Sequence, residues 1–333
     1  MWQEVVKVKE LLNLPRHISI LSHRNPDGDA LGSTIALALF LQSYGHKVNI
    51  ILPSEYPVYF EWMPLTEEII IFDISPNQAE ACIKQSEIIF MLDFNSLDRI
   101  DKLGITVNQS NKPKVMIDHH MDPEPIADFI FSDTTYSSTS EMIFEFIGEF
   151  GENIKNTKLI YDCLYTGIMT DTGSFHHNTS ARVFKIIAIM KEAGLDDTRI
   201  QELVLNSQPD KYLKLLGHCL HNRMELVPEL KFGLISLTRE DYKSFEIQRG
   251  DTEGIINYLM MLKNVNVAAL VMNQPNIIKL SLRSKGNISV QELCRDHFNG
   301  GGHKNASGGA SKLGLDETVK KLKDVLPFYI FAN

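Results

Sequence analysis

Short apolar runs alternate with longer stretches in which apolar residues recur every three or four positions. HISILS (17–22), KVNIIL (47–52), SEIIFMLD (86–93) and PKVMID (113–118) have the length and composition of buried strands. Between them the periodicity predicts helices over about 30–44, stopped by Gly45, and over about 77–84. Further helices are expected from Ser140, over 157–170 with Asp171 at the end, and over 180–193. Strands alternating with helices in this way predict an α/β fold with a doubly wound, mostly parallel sheet.

A polar stretch, NSQPD (206–210), then leads into DKYLKLLGHCLHNRME, which has the pattern of one helix bridging two domains. FGLISLT (232–238), VNVAALVM (265–272) and IIKLSLRS (277–284) follow as strands, with helices near 251–262 and 289–297. A glycine-rich stretch, GGGHKNASGG (300–309), breaks the pattern. The expected organisation is a first domain over 1–205, a helical linker over 206–228 and a smaller α/β C-terminal domain over 229–333. No internal repeat or low-complexity segment interrupts it.

With 333 residues, 44% of them apolar, the chain can bury a large core and is long enough for two domains. Its formal charge of −9 argues against a long nucleic acid as partner, because phosphate neutralisation by a basic face supplies most of that affinity. A small anionic substrate in a local pocket remains compatible, as does a homodimer. Cys82, Cys163, Cys219 and Cys294 form no CxxC pair, which fits free thiols in a reducing cytoplasm. The N-terminal MWQEVVKVKELLN mixes charge and apolar residues like an amphipathic helix, unlike a secretory signal. The longest apolar stretch, around IALALFL, falls far short of the ~18 residues of a membrane span. A cytoplasmic protein without membrane association is expected.

Charge placement changes the picture. HRNPDGDALGS (23–33) crowds a histidine and two aspartates onto one turn. Like charges about 4 Å apart repel by roughly 4 kcal/mol at an effective dielectric of 20, so the crowding costs stability unless a cation sits there. His23, Asp27 and Asp29 follow the first strand, Asp93 ends the third, and Asp118, His119 and His120 end the fourth. Ligands of open parallel sheets bind beyond the carboxyl ends of the strands, so these groups converge on one edge, where Asp171 can join them. Singly, each is an ordinary turn or surface residue. Together, imidazole and carboxylate donors without thiolates point to hard or borderline divalent ions, and two ions sharing a carboxylate would explain why the aspartates crowd.

HRNPDGDALGS, DFN (93–95), DHH (118–120) and TDTGSF (170–175) resemble, in order, the four motifs of the DHH phosphoesterase superfamily, and GGGHKNASGG resembles the signature of its DHH-associated C-terminal domain. The resemblance covers nearly the whole chain and is nearest to the nanoRNases, or bifunctional oligoribonuclease and pAp phosphatases. It implies one ion held by His23, Asp27 and Asp93, and a second held by Asp29, Asp93, His119 and Asp171, with Asp93 bridging. Mixed imidazole and carboxylate ligands favour two Mn2+ ions over Mg2+. Asp118 is expected to orient an adjacent histidine, and His120 to face the substrate phosphate. The ions would make hydroxide available at neutral pH for attack on phosphorus. One departure is Phe94-Asn95 in place of small hydroxyl residues, which leaves the ligand Asp93 but removes a hydroxyl at 94.

The C-terminal domain is expected to grip the substrate. Gly300, Gly301 and Gly302 would let backbone approach an anion, with a helix beginning just after them to point N–H groups at it. His303, Arg283 and Ser284 join this set, Arg283 as a bidentate phosphate ligand. His218 and His221 read as solvated, His176 and His177 as lining the site or facing water, and Arg99 as touching substrate or bracing its loop. The expected activity is hydrolysis of short 5′-phosphorylated oligonucleotides or linear dinucleotides to mononucleotides, and of pAp to AMP. A pyrophosphatase, exopolyphosphatase or cyclic-dinucleotide phosphodiesterase is the alternative, and a non-catalytic nucleotide-binding module would be expected to have lost ligands that this chain retains.

Overall fold

Where a parallel sheet carries helices on both faces, its strands must be apolar at both parities. The computed structural model describes residues 4–151, 157–207, 209–248 and 250–331. The chain divides into two compact units, Met1–Ser207 and Gln208–Asn333. The first begins with α1 (Val5–Leu11), β1 (His17–Leu21), α2 (Gly28–Ser43), β2 (Lys47–Leu52) and β3 (Ile70–Ile71). It continues through α3 (Pro76–Gln85), β4 (Ile88–Leu92), α4 (Leu103–Gln109), β5 (Lys114–Asp118) and β6 (Phe129–Ser132). These strands are all parallel, in the order β3-β2-β1-β4-β5-β6. Ile88, Phe90 and Leu92 enter one core, whereas Ile89 and Met91 enter a second with Ala79 and Ile83 of α3 and Leu103 and Val107 of α4. Helices α5 (Thr139–Gly148), α6 (Thr157–Asp171), α7 (Ala181–Glu192) and α8 (Asp197–Leu205) complete the unit.

Two glycines set how closely α2 approaches α6. A Cβ on Gly28 would overlap the Thr170 side chain, and one on Gly32 would lie 2.5 Å from the Cys163 carbonyl oxygen. One helical turn apart, they open a lane on α2 into which α6 packs. That approach brings Asp29, in the first turn of α2, to the same region as Asp171, the last residue of α6.

The second unit runs α9 (Asp210–His218), β7 (Met224–Val227), β8 (Phe232–Leu237), α10 (Arg239–Ser244), α11 (Ile255–Met260) and β9 (Val267–Asn273). It ends with β10 (Ile278–Ser284), α12 (Val290–Phe298), β11 (Gly301–His303), β12 (Ala306–Ser311) and α13 (Leu315–Ile330). Its sheet is mixed, ordered β11-β12-β10-β9-β8-β7, with β8 and β9 the parallel pair. Among the described residues no helix is long and apolar enough to cross a membrane, and the cysteines are free thiols.

Two expectations need correction here. The single helix over DKYLKLLGHCLHNRME ends at His218; a π-helical turn spans Cys219–Arg223, and Met224 starts a strand that pairs with β8. Sheet pairing wins over helical periodicity because Met224–Val227 finds ladder partners across Phe232–Ile235. The glycine-rich stretch is not a loop opening a helix. It is a β-hairpin, β11 to β12, and the next helix begins only at Leu315. A Cβ on Gly300 would overlap the Gly308 carbonyl, and Gly302 has φ +136°, so these glycines serve the close hairpin packing.

Candidate metal centre

The strand order reverses between β1 and β4, where successive connections leave toward opposite edges, and a crevice opens at the carboxyl ends of such neighbours. His23 follows β1, Asp93 follows β4, and Asp118 ends β5 just before His119 and His120. Asp27 is the N-cap of α2, its Oδ1 accepting from the amides of Asp29 and Ala30 at 3.0 and 3.1 Å. Asp93 adopts a left-handed backbone, φ +63°, which few non-glycine residues tolerate and which aspartate tolerates better than most.

Two of the donor groups that result gather the expected ligands. His23, Asp27 and Asp93 offer atoms within 4.8 Å of one another, and so do Asp29, His119 and Asp171. His23 Nε2 lies 3.2 Å from Asp93 Oδ2 and 3.9 Å from Asp27 Oδ1. His119 Nε2 lies 3.4 Å from Asp171 Oδ2, 3.9 Å from Asp29 Oδ2 and 3.6 Å from Asp93 Oδ1. Asp93 therefore turns one oxygen toward each group. All six expected ligands are brought together.

The contacts behind these donors select their protonation. His23 Nδ1 lies 2.9 Å from the Arg24 carbonyl and His119 Nδ1 lies 3.4 Å from that of Tyr136, so each Nδ1–H donates outward and Nε2 becomes the electron-pair donor. His120 Nδ1 donates to the fully buried Asp118 Oδ1 at 2.7 Å, while Asp118 Oδ2 accepts from the His120 amide. Of the two histidines beside it, Asp118 orients His120. Asp29 is held by the first amides of α5: Thr139 N donates to Oδ2 at 2.6 Å and Ser140 N to Oδ1 at 2.8 Å. The Thr139 hydroxyl donates to Asp93 Oδ1 at 3.0 Å. Thr139 and Ser140 were not among the expected site residues; their only signal was the run of cap-type residues before α5.

Electrostatics test whether a cation fits. Burial, with Asp93 and Asp171 adding to it, holds the Asp29 carboxyl well above the usual carboxylate range. Burial likewise pushes Asp171 up to about 7 against the pull of His119. Burial opposes protonation of His119, but Asp171, Asp93 and Asp29 outweigh it and raise its pKa well above 6.5. His23 is raised by Asp93 and Asp27 against its own burial and the nearby Arg99 charge. Asp93 stays well below the usual range because its bonds to His119 and His23 overcome burial. With no cation to balance the crowded carboxylates, Asp29 and Asp171 thus bind protons, and a divalent ion on imidazole and carboxylate donors supplies that charge. The residues fit a divalent-metal site.

The remaining expected residues have varied settings. Phe94 is fully buried in the core, and Asn95 donates from Nδ2 to the Met121 carbonyl at 2.6 Å, so a side chain one position later braces the segment after DHH. Arg99 is half-buried and its carbonyl accepts from Arg24 N at 2.8 Å. His176 and His177 are exposed. His218, read as solvated, instead lies 2.9 Å from Asp241 Oδ1, which Arg223 Nη2 also reaches at 2.9 Å; the carboxylate caps α10 and draws both groups to it.

In the second unit, the antiparallel register aligns Arg283 with Ala306 and Ala306 with His303. Paired residues share a face, so Arg283 and His303 lie on one side of the sheet, roughly 10 Å apart by strand spacing. Ala268 and Ala306 flank Arg283, whose Nη1 donates to the Leu282 carbonyl at 3.0 Å and to Ser281 Oγ at 3.4 Å. The Ser284 hydroxyl donates to the Ile288 carbonyl at 2.6 Å and accepts from Asn305 Nδ2 at 2.8 Å, which ties it into the turn after β10. Gly301 and Gly302 pair with Gly308 and Ser307.

Residues 17–168 match the DHH family N-terminal domain, and residues 235–327 match the DHHA1 domain. An exopolyphosphatase-related protein from Bacteroides fragilis is 36% identical, covers 100% of this chain over 98% of its own, and superposes with a TM-score of 0.93. The chain belongs to the DHH phosphoesterase family. Among curated DHH relatives, the bifunctional oligoribonuclease and PAP phosphatase NrnA of Thermus thermophilus is 25% identical over 98% of this chain and 94% of its own length. A membrane protein–large ribosomal subunit bL9 fusion protein of Onion yellows phytoplasma is 29% identical over 96% of this chain, which spans 37% of that relative's length.

Proposed function

We propose that this chain is a Mn2+-dependent phosphoesterase that hydrolyses short 5′-phosphorylated oligonucleotides and linear dinucleotides to mononucleotides, and pAp to AMP. The observation that carries the reading is Asp93, with one carboxylate oxygen toward His23 and the other toward His119 at the switch point of the sheet. His23, Asp27 and Asp93 would hold one ion, and Asp29, Asp93, His119 and Asp171 the other. Ions held there would supply a water of lowered pKa and positive charge beside the attacked phosphate.

The chain's own residues orient the rest. Asp118 keeps the proton of His120 on Nδ1, which aims the ring's other nitrogen away from the buried carboxylate. From there His120 stabilises charge developing on the phosphate or donates a proton to the leaving oxygen. Arg283 forks onto a second phosphate or the base, His303 lies on the same sheet face, Gly301 and Gly302 shape the hairpin that carries His303, and Ser284 fixes the turn after Arg283. The substrate class rests on the similarity to the Thermus protein, whose name specifies an oligoribonuclease and PAP phosphatase. The exopolyphosphatase-related name of the Bacteroides fragilis protein favours a second reading, cleavage of phosphoanhydride chains.

A substrate panel with Mn2+ separates the two. We expect oligonucleotides of about two to five residues and pAp to be cleaved much faster than a 20-mer, because an acidic chain with a local phosphate grip offers no track for a long strand. Equal kcat/KM for a dimer and a 20-mer would argue for a processive exonuclease. Preference for pyrophosphate, polyphosphate or a cyclic dinucleotide would replace the substrate assignment and keep the metal centre.

A further inference from the structure

We propose that Thr139 is a positioning residue of the metal centre, one that ties the carboxylates of Asp29 and Asp93 to a single helix start and so holds the two donor groups in register. The inference rests on the reading of those groups as metal sites. Thr139 is fully buried at the first position of α5. Its amide donates to Asp29 Oδ2 at 2.6 Å and its hydroxyl to Asp93 Oδ1 at 3.0 Å. Asp29 belongs to the group with His119 and Asp171, and Asp93 to the group with His23 and Asp27. One residue thus contacts a carboxylate of each.

Geometry makes this more than a cap. A carboxylate rotates readily about its last side-chain bond, and a terminal sp2 torsion has no sharp rotamer to stop it. A donor on Oδ1 fixes the plane of Asp93 and leaves the remaining lone pairs directed at the two imidazoles. The donor itself is stiff, because threonine is restricted at χ1 within a helix. The helix start is also anchored from behind. Buried Glu141 accepts from Ser137 N and Oγ at 2.6 and 2.7 Å through Oε2, and from Arg182 Nε at 2.7 Å through Oε1. Thr139 cannot drift without disturbing those bonds to buried Glu141, which would leave a buried carboxylate short of donors.

The test is calorimetric titration of the full chain with Mn2+ alone, in three forms. Thr139→Val removes the hydroxyl while keeping volume and amide, and Thr139→Ser keeps the hydroxyl while losing a methyl. We expect the wild type to bind two equivalents, Thr139→Val to bind roughly 10- to 100-fold more weakly, and Thr139→Ser to stay within about threefold of wild type. Rescue by serine is what a packing role would not produce, since serine leaves the larger void. If the valine variant does not fold, Thr139→Ala takes its place in the same contrast. Unchanged affinity in the valine variant, or serine as impaired as valine, overturns the role of Thr139. A wild type that binds no Mn2+ overturns the metal-site reading and this inference together, whereas two tight sites in both wild type and valine variant overturn this inference alone.

Discussion

Asp93 stands where two histidines 96 residues apart in sequence come within 3.6 Å of a single carboxylate. Asp93→Ala should therefore collapse both donor groups, lowering turnover by orders of magnitude while the protein still folds; circular dichroism and elemental analysis for Mn2+ check it. A variant that keeps two metals and a near-normal rate would remove Asp93 from the bridge. Protonation gives a second expectation. Asp171 titrates near 7 in the folded chain and near 3.8 as an ordinary aspartate, so between those values the folded state holds a proton that the unfolded state lacks. Stability of the metal-free protein then falls as pH rises through that window. Asp29, raised in the same direction, adds to the fall, and the stabilisation of raised His119 is full below 6.5 and lost at higher pH. His23 is raised like His119 and adds to the fall, and His46, whose pKa burial lowers, works the other way as one group against four. In EDTA the melting temperature should be lower at pH 8 than at pH 5.5, with the gain from added Mn2+ largest at pH 8. A metal-free Tm that rises from pH 5.5 to 8 would contradict the cluster's charge balance.

At the scale of elements, the sign of a glycine substitution depends on what lies beside the helix. Alanine exceeds glycine by about 1 kcal/mol in a helix interior. In α9, a Cβ on exposed Gly217 would meet nothing within 4 Å, so Gly217→Ala should stabilise by up to about 1 kcal/mol. In α2, the Cβ of Gly32→Ala would lie 2.5 Å from the Cys163 carbonyl and 3.1 Å from Ser140 Oγ, and overpacking of this kind costs about 1–3 kcal/mol. The net change should be destabilising, and urea denaturation of both variants checks the opposite signs. The elements least legible in the sequence follow similar physics. β3 has two residues and β6 four, too few for a period to register. α4, LGITVNQ, is built from weak helix formers and is held by burial of Leu103, Gly104 and Val107. The glycine-rich hairpin lacks side chains on which any periodicity could be read.

For the whole molecule, the donor cluster lies in the first unit and Arg283 in the second. Losing Arg283 should therefore lower kcat/KM for a 5′-phosphorylated dinucleotide by roughly 10- to 150-fold, as expected for a charge-assisted contact of ~1.5–3 kcal/mol. Hydrolysis of bis-p-nitrophenyl phosphate, which carries no nucleotide to hold, and Mn2+ binding should be unchanged in Arg283→Ala. Equal loss on both substrates would assign Arg283 to folding instead. What the sequence determined by itself were the strands β1, β2, β4 and β5, the helices α2 and α3, and the aspartates and histidines at the strand ends, because period and composition are local properties. The conjunction of HRNPDGDALGS, DHH and TDTGSF at one sheet edge was legible for the same reason. Tertiary structure alone decided which histidine Asp118 orients, that Thr139 and Ser140 hold Asp29, and that Arg283 and His303 share a face. The first turns on rotamer, His119 facing the Tyr136 carbonyl instead, and the other two on helix approach and register, which are set by contacts between distant segments that no local pattern encodes.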